Sequence, residues 1–381
     1  MRILFLTWLG SGNQVPTIGL AQTLAARGHR ICFAGYPVQR ATFRELGFEF
    51  RVLPRSDAAY RADAPPEAVM AELLRGVWAC PAQLLDVADL ATEGFDLAVV
   101  DGMMFGALAA LERVRLPAVV LVHSAPGVLA PPGGGGEAFI LPALNALRDR
   151  AGLDHLDSLW QAWAHYPTIC STLRELDPLA DRVPPSFHYV GPIAEARPPA
   201  LWSPPWPQRD QRPLLLANFS SGFASDQRSR LERTLAAVGG SARYRLLVSA
   251  SAPALDGLAL PRRAVIMPAL PEAEVFPRTA VTVTHAGHGT VAAALTHAVP
   301  MVFLPNPAAD QRPLADRVAG LGAGIVLEPD TATPDEIAAA VARILDRDSY
   351  REAARRLSAR IDSSTRATGA AERLERLVAA R

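Results

Sequence analysis

Short apolar runs that read as strands alternate with helix-periodic segments along nearly the whole chain, and this alternation narrows the fold more than any other feature. Strands linked through helices return parallel, so the sheet is covered by helices on both faces. In the first half the strand runs are Ile3–Leu9, Ile31–Ala34, Phe48–Leu53, Leu97–Val100 and Ala118–Val122, with helical patterns such as Thr17–Ala26 and Ala107–Arg113 between them. Residues 65–92 read as a longer helical insertion containing Trp78. The run Gly133–Gly136 reads as a mobile loop, and residues 137–165 as helical again, with Trp160 and Trp163. The alternation breaks once, at "PIAEARPPALWSPPWPQRDQRP" (Pro192 to Pro213), where prolines block helix and sheet alike. It restarts with Leu214–Asn218, Arg245–Ser249, Val265–Met267, Val281–Thr284, Met301–Leu304 and Gly324–Leu327 as strands, and Asp226–Val238, Thr290–His297 and Pro313–Gly320 as helices. From Pro334 onward the pattern is helical and rich in Ala and Arg.

The expectation is therefore two Rossmann-like parallel-sheet α/β domains facing across a cleft. They span residues 1–194 and 213–381, joined by a linker over 195–212, with the last helix packing back on the first domain. Ligands in such sheets sit at the carboxyl ends of the strands, so the residues just after each strand carry the functional argument.

Composition removes several classes of function. Half of the 381 residues are hydrophobic and a fifth are charged, as in a soluble globular protein. Acidic and basic residues balance at 38 each, which leaves no global field for nucleic acid or anionic lipid. Every basic side chain is Arg, the simplest cause being GC-rich codon usage, and the absence of Lys excludes Schiff-base chemistry and a P-loop. Cys32, Cys80 and Cys170 lie far apart without a CxxC pair, which points to a reducing compartment. The N-terminal strand run does not read as a signal peptide, and no apolar run approaches the ~18 residues of a membrane span. A cytoplasmic protein is expected. Without an HExxH-type pattern or an acidic cluster, no metal and no cofactor are expected either.

Chemistry concentrates in "VTVTHAGHGTVAAALTHAVPMVFLPNPAADQRPLADRV". A buried strand ends at His285, glycines follow at 287 and 289, and a helix opens near Thr290. The free N–H groups and positive dipole end of such a helix suit a diphosphate, and the glycines allow close backbone approach. A plain structural reading is a tight strand-to-helix turn with a capping Thr. One strand further on, Asp310 and Gln311 stand at another helix start, as an N-cap or as hydrogen-bonding partners of sugar hydroxyls.

At these residues the chain resembles the GT-B glycosyltransferases, in the family that contains plant UDP-glycosyltransferases and bacterial natural-product glycosyltransferases. "HAGHGT" resembles the family's H-G-G-x-G-T donor signature and "DQRPLADRV" its D-Q-x-x-N-A element. "GSGNQVPTIGLAQTLAARGH" is similar to its G-x-G-H-x-x-P…L-A…L…G-H opening. The resemblance spans essentially the whole chain. It implies that His285 contacts the donor pyrophosphate, that Gly287, His288, Gly289 and Thr290 cradle it, and that Asp310 and Gln311 hold the sugar. Within "NFSSG", Ser221 and Gly222 would line the diphosphate from the other side. The family's Trp-x-Pro segment, whose ring lies under the nucleobase, is here Ala269-Leu270-Pro271, so only main-chain groups of Leu270 remain to read a base edge. The resemblance implies an inverting, metal-independent transfer of a hexose, a dTDP-linked deoxysugar being favoured over a UDP-sugar, to a lipophilic natural-product aglycone such as a polyketide. It leaves the oligomeric state open, a homodimer included.

One position departs from the pattern in its chemistry. Where the family's catalytic histidine stands, this chain has Asn13, which can orient a hydroxyl but cannot take its proton. Asp101, at the end of "DLAVVD", matches the position whose carboxylate orients that histidine, and His123 ends the next strand, "AVVLVH". Three resolutions stand open. Asp101 (through a water) or His123 takes over as base, the acceptor is acidic enough to need only orientation, or the protein is a weak or inactive nucleotide-sugar-binding accessory subunit. The structural alternatives are a core histidine at 123 and a helix cap at 101. An epimerase on the same architecture would need paired carboxylates near the donor motifs, which the sequence lacks.

Overall fold

A computed structural model describes residues 1–196, 202–219, 227–267, 270–306, 310–361 and 366–379. The first sheet contains β1 (Arg2–Leu6), β2 (Arg30–Gly35), β3 (Glu49–Val52), β4 (Leu97–Asp101), β5 (Ala118–Val122), β6 (Thr168–Cys170) and β7 (Phe187–Tyr189), ordered β3-β2-β1-β4-β5-β6-β7. The second contains β8 (Leu214–Phe219), β9 (Arg245–Ala250), β10 (Ala264–Ile266), β11 (Thr279–Thr284), β12 (Met301–Phe303) and β13 (Gly324–Val326), ordered β10-β9-β8-β11-β12-β13. Every strand pair is parallel. The strand order reverses at β1/β4 in the first sheet and at β8/β11 in the second, and ligand crevices form at such reversals.

The central strands are buried on both faces, which is why they read as continuous apolar runs. "LAVVD" of β4 and "AVVLV" of β5 are buried at every residue. Their alternate side chains feed two clusters, one holding Val100, Val120 and Val122 with Leu4 and Leu6, the other Val99, Val119 and Leu121 with Ile3 and Phe5. Each such side chain contributes about 1.5–3 kcal/mol by burial. β6 and β7, three residues each, were not among the expected strands. Within 65–92 the helices are Val69–Leu73 and Gln83–Ala91, with a π-helical turn at Leu74–Trp78.

Two helices depart from expectation. The first spans Ser11–Ala26, so it opens ahead of Thr17 and includes Pro16. Pro16 sits early enough that the bond it cannot make, to the carbonyl of Gly12, belongs to the first turns. Asn13 therefore lies in the first turn of this helix rather than on a loop before it. The glycine run also differs from a mobile loop, because Gly135 and Gly136 begin the helix Gly135–Ala151. Glu137 anchors the turn before it, accepting from the Gly133 N–H at 2.7 Å and the Leu159 N–H at 2.9 Å. Trp78, Trp160 and Trp163 are all core residues.

Packing divides the chain into two compact units, Met1–Ala196 together with the last helix, Arg366–Ala379, and Arg197–Ile361. Ala370, Ala371 and Leu374 pack among Ile18, Leu20, Ala21 and Leu24 of the first helix. Arg27 clamps Glu375 through two hydrogen bonds, 2.8 and 2.6 Å, and His29 bridges Glu375 (2.9 Å) to the N-terminal amine (3.2 Å). The Arg27 and His29 hydrogen bonds hold the Glu375 carboxyl down at about 2. His29, which follows the glycine stop of the first helix, thus fastens the last helix. Among the described residues, no helix is long and apolar enough to cross a membrane.

Candidate active sites at the strand ends

In the first unit the reversal point gathers the three residues of the acid–base question. Asp101 closes β4, and its register with β5 sets it beside Leu121, two residues before His123. Its carboxylate is almost fully buried and densely solvated by protein donors. Oδ1 accepts from Trp8 Nε1 at 3.0 Å and from the Met103 N–H at 2.9 Å, and Oδ2 accepts from Asn13 Nδ2 at 2.8 Å. His123 Nδ1 lies 3.7 Å from the same Oδ2. The Asp101 side chain makes no helix cap; it is the hub of this cluster. Asn13 points its amide nitrogen at Asp101, while its Oδ1 is buried with no hydrogen-bond partner among the described residues. A Cβ on Gly10 would come within 2.8 Å of that oxygen and 2.9 Å of the Trp8 ring, so glycine is required there for the turn to close.

Asn13, Asp101 and His123 are thus brought together as the strand-end argument expects. Trp8 was not foreseen. A tryptophan just past a strand carries no motif, although a buried indole N–H usually finds a partner. Trp163 fixes the other side of the same turn by donating Nε1 to the Gly102 carbonyl at 2.7 Å.

In the second unit β11 delivers His285, which is 2% exposed. Burial pushes its imidazole down to about 4, the Arg230 guanidinium adds to the depression, and a backbone hydrogen bond with Asn218 only partly opposes it. His285 is therefore neutral at ordinary pH. The next residue, Ala286, holds φ +72°, a left-handed conformation suited to glycine. Gly287 then caps the helix His288–Thr296, and a Cβ on Gly287 would stand 2.7 Å from His285 Nε2. Gly289 is exposed, His288 is half-buried, and buried Thr290 accepts from Asn218 Nδ2 at 3.3 Å. Asn218 is the partner of Thr284 across the β8/β11 reversal, so His285, Asn218 and Thr290 share one sheet edge.

Asp310 precedes the helix Gln311–Gly320, and its side chain makes no capping hydrogen bond. The Gln311 Oε1 is buried without a hydrogen-bond partner among the described residues. Leu270 is half-buried just before Pro271, while Ser221, Gly222 and Ala269 lie outside the described residues. A residue unforeseen in the sequence is Arg230 on the helix Gln227–Val238. Buried itself, it donates to Asn306 Oδ1 and, at 3.0 Å, to Asp330 Oδ1, and so braces the loops after β12 and β13. No cluster of His, Cys, Asp and Glu capable of holding a metal occurs among the described residues.

Comparison with known proteins identifies this architecture. Residues 245–377 match the family described as erythromycin biosynthesis protein CIII-like, C-terminal domain. The chain is 26% identical to 4'-demethylrebeccamycin synthase of Lentzea aerocolonigenes, over 93% of this chain and 94% of the relative. It is also 26% identical to demethyllactenocin mycarosyltransferase of Streptomyces fradiae, over 99% and 86% respectively. The crystal structure of the glycotransferase of kitacinnamycin superposes with a TM-score of 0.81 at 22% identity, covering 99% of this chain and 98% of that one. Glycosyltransferase VinC, in complex with dTDP, superposes with a TM-score of 0.75 at 19% identity over the full length of both chains. Both sheets thus have the GT-B fold, and the chain is similar along nearly its whole length to natural-product glycosyltransferases, with residues 245–377 matching a family of antibiotic-biosynthesis proteins.

Proposed function

We propose that the protein transfers a deoxysugar from a dTDP-sugar to a lipophilic natural-product aglycone, with inversion at the anomeric carbon and without a metal ion. The observation that carries this reading is His285. It is a buried, neutral imidazole at the mouth of the helix His288–Thr296, where it can donate a hydrogen bond to a diphosphate oxygen. The helix dipole, its first N–H groups and Thr290 supply the remaining electrostatic stabilisation of the departing diphosphate. The unpartnered Gln311 amide oxygen suits a sugar hydroxyl, with Asp310 beside it. A mycarosyltransferase among the relatives and the dTDP complex of VinC support the choice of donor.

The first unit binds the acceptor. Of its three candidates, His123 is the proton acceptor, because Asn13 has no basic atom and both Asp101 oxygens already hold hydrogen bonds. Asp101 faces the His123 imidazole and stabilises the imidazolium formed as the acceptor hydroxyl attacks. This reading takes up the moved-base resolution of the Asn13 question.

The test is a transfer assay of the full chain with dTDP- and UDP-sugars against aliphatic and phenolic acceptors, in the presence of EDTA, with the anomeric configuration of the product read by NMR. Wild type is expected to glycosylate aliphatic alcohols with inversion, and His123→Gln to lose about 10²–10⁴-fold in kcat/KM. Retention of configuration, or a His123→Gln enzyme as active as wild type, would overturn the mechanism. Binding of dTDP-sugar without transfer to any acceptor would favour an accessory subunit instead.

A further inference from the structure

The strand-end turn that carries Asn13 is built around a different device, and its centre is Trp8. Four groups converge on the Asp101 carboxylate: the Trp8 indole N–H, the Asn13 amide, the Met103 backbone N–H and the His123 imidazole. His123 is the titratable member of this set, the other three being neutral donors. We propose that Trp8 is a positioning residue for proton transfer, fixing the Asp101 carboxylate so that it faces His123. The inference rests on the reading of His123 as the base.

The geometry makes the indole more than core filling. Trp8 is itself held from three sides. Gln39 Nε2 donates to its carbonyl at 3.0 Å, Gln14 Nε2 donates to the same carbonyl at 3.3 Å, and the Trp78 ring meets its face edge-on at 6.2 Å between centroids. Gln39 is in turn fixed by accepting from the Tyr36 N–H at 2.9 Å. The indole N–H therefore reaches Asp101 Oδ1 from a rigid support, while Asn13 holds Oδ2 from the first helix. Two donors on opposite carboxylate oxygens, together with the Met103 N–H, leave the group no freedom to rotate. Trp163, bound to the Gly102 carbonyl, fixes the backbone beneath it. In this arrangement Asn13 does not stand in for a missing base. It is the second clamp on a carboxylate whose partner imidazole has moved to β5.

Trp8 acts here through a hydrogen bond to a charge, and removing a neutral donor from a buried carboxylate strengthens its pull on a neighbouring imidazolium. Trp8→Phe is thus expected to raise the acid limb of the kcat/KM profile by about half a pH unit and to lower kcat/KM about tenfold. Both effects should vanish when Trp8→Phe is made in an Asp101→Asn background. An equal loss in both backgrounds, or an unmoved acid limb, would reduce Trp8 to packing and overturn the proposal. A second measurement needs no Trp8 variant. In the ¹⁵N-labelled wild type the Trp8 indole resonance should titrate in step with the acid limb and stop titrating in Asp101→Asn, and a flat resonance would also overturn it. His123→Gln separates the two layers of the argument. If its acid limb persists, the base assignment falls and this inference with it. If the limb disappears while Trp8→Phe leaves the wild-type limb unmoved, the base assignment stands and only the role of Trp8 is lost.

Discussion

The depressed imidazole of His285 makes stability depend on pH in a way that can be calculated and refuted. Its pKa falls from an ordinary 6.5 to about 4 on folding, because burial disfavours the imidazolium and Arg230 adds repulsion. Between these two values the unfolded chain binds a proton that the folded chain refuses. Stability is therefore full above about pH 6.5, declines as the pH falls through this window and reaches its floor near pH 4. At about 1.4 kcal/mol per pH unit the whole window is worth about 3 kcal/mol, and the part between pH 7 and pH 5 about 2 kcal/mol. At 2% exposure His285 needs no discount for solvent screening. The perturbation is His285→Gln, which keeps an amide N–H in place of the ring N–H and cannot titrate. Urea unfolding of the full chain, followed by circular dichroism at pH 7 and pH 5, gives two stabilities for each protein. Wild type should lose about 2 kcal/mol more than His285→Gln over that interval. Equal losses would mean that His285 protonates as readily in the folded chain as in the unfolded one, and the account of its imidazole as held neutral by burial would be wrong.

Two neighbours of His285 give sharper local tests. Gly287→Ala brings a Cβ to 2.7 Å from His285 Nε2, so the ring must tilt, and dTDP binding measured by calorimetry should weaken about tenfold with little change in the unfolding midpoint. An unchanged dissociation constant would remove the imidazole from the donor site. Ala286→Gly relieves an alanine held at φ +72°, and after the entropy gained by the unfolded chain it should stabilise by about 0.5–1 kcal/mol in urea unfolding.

Much of the fold was legible because burial on both faces writes itself into the sequence. "LAVVD" and "AVVLV" could hardly be anything but central parallel strands, and Ala118–Val122 was bounded to the residue. β6 and β7 are less legible than the equally short β12 and β13, because β6 follows directly on the helical stretch 137–165 and their strand character comes from pairing with β5 and with each other. The first helix opens ahead of its apolar pattern because Pro16, a barrier in a helix interior, removes only one bond in the first turns. The glycine run misled in the opposite direction. Glycine favours loops in isolation, but Glu137 supplies tertiary hydrogen bonds that local propensity does not contain.

The candidate sites divide in the same way. Residues defined by a strand end and a turn, His285, Gly287, Thr290, Asp101 and His123, could be found because their places follow from chain order. Residues that act by reaching across the fold could not. Trp8 meets Asp101 across 93 positions and Arg230 meets Asp330 across 100, and neither spacing leaves a trace in the sequence. This bears on how Asn13 should be understood. Read alone, an amide where a base is expected looks like lost function. Read with the three other groups on Asp101, it keeps the hydrogen bond to the carboxylate that the turn is built to make. On the proposed reading, proton acceptance depends on which imidazole Asp101 faces, and β5 supplies one from a neighbouring strand end, because β4 and β5 deliver their side chains to one edge in fixed register. The substitution at the centre of the turn, Asn13→His, would have to be accommodated where Asn13 Oδ1 and the Trp8 ring already close on Gly10.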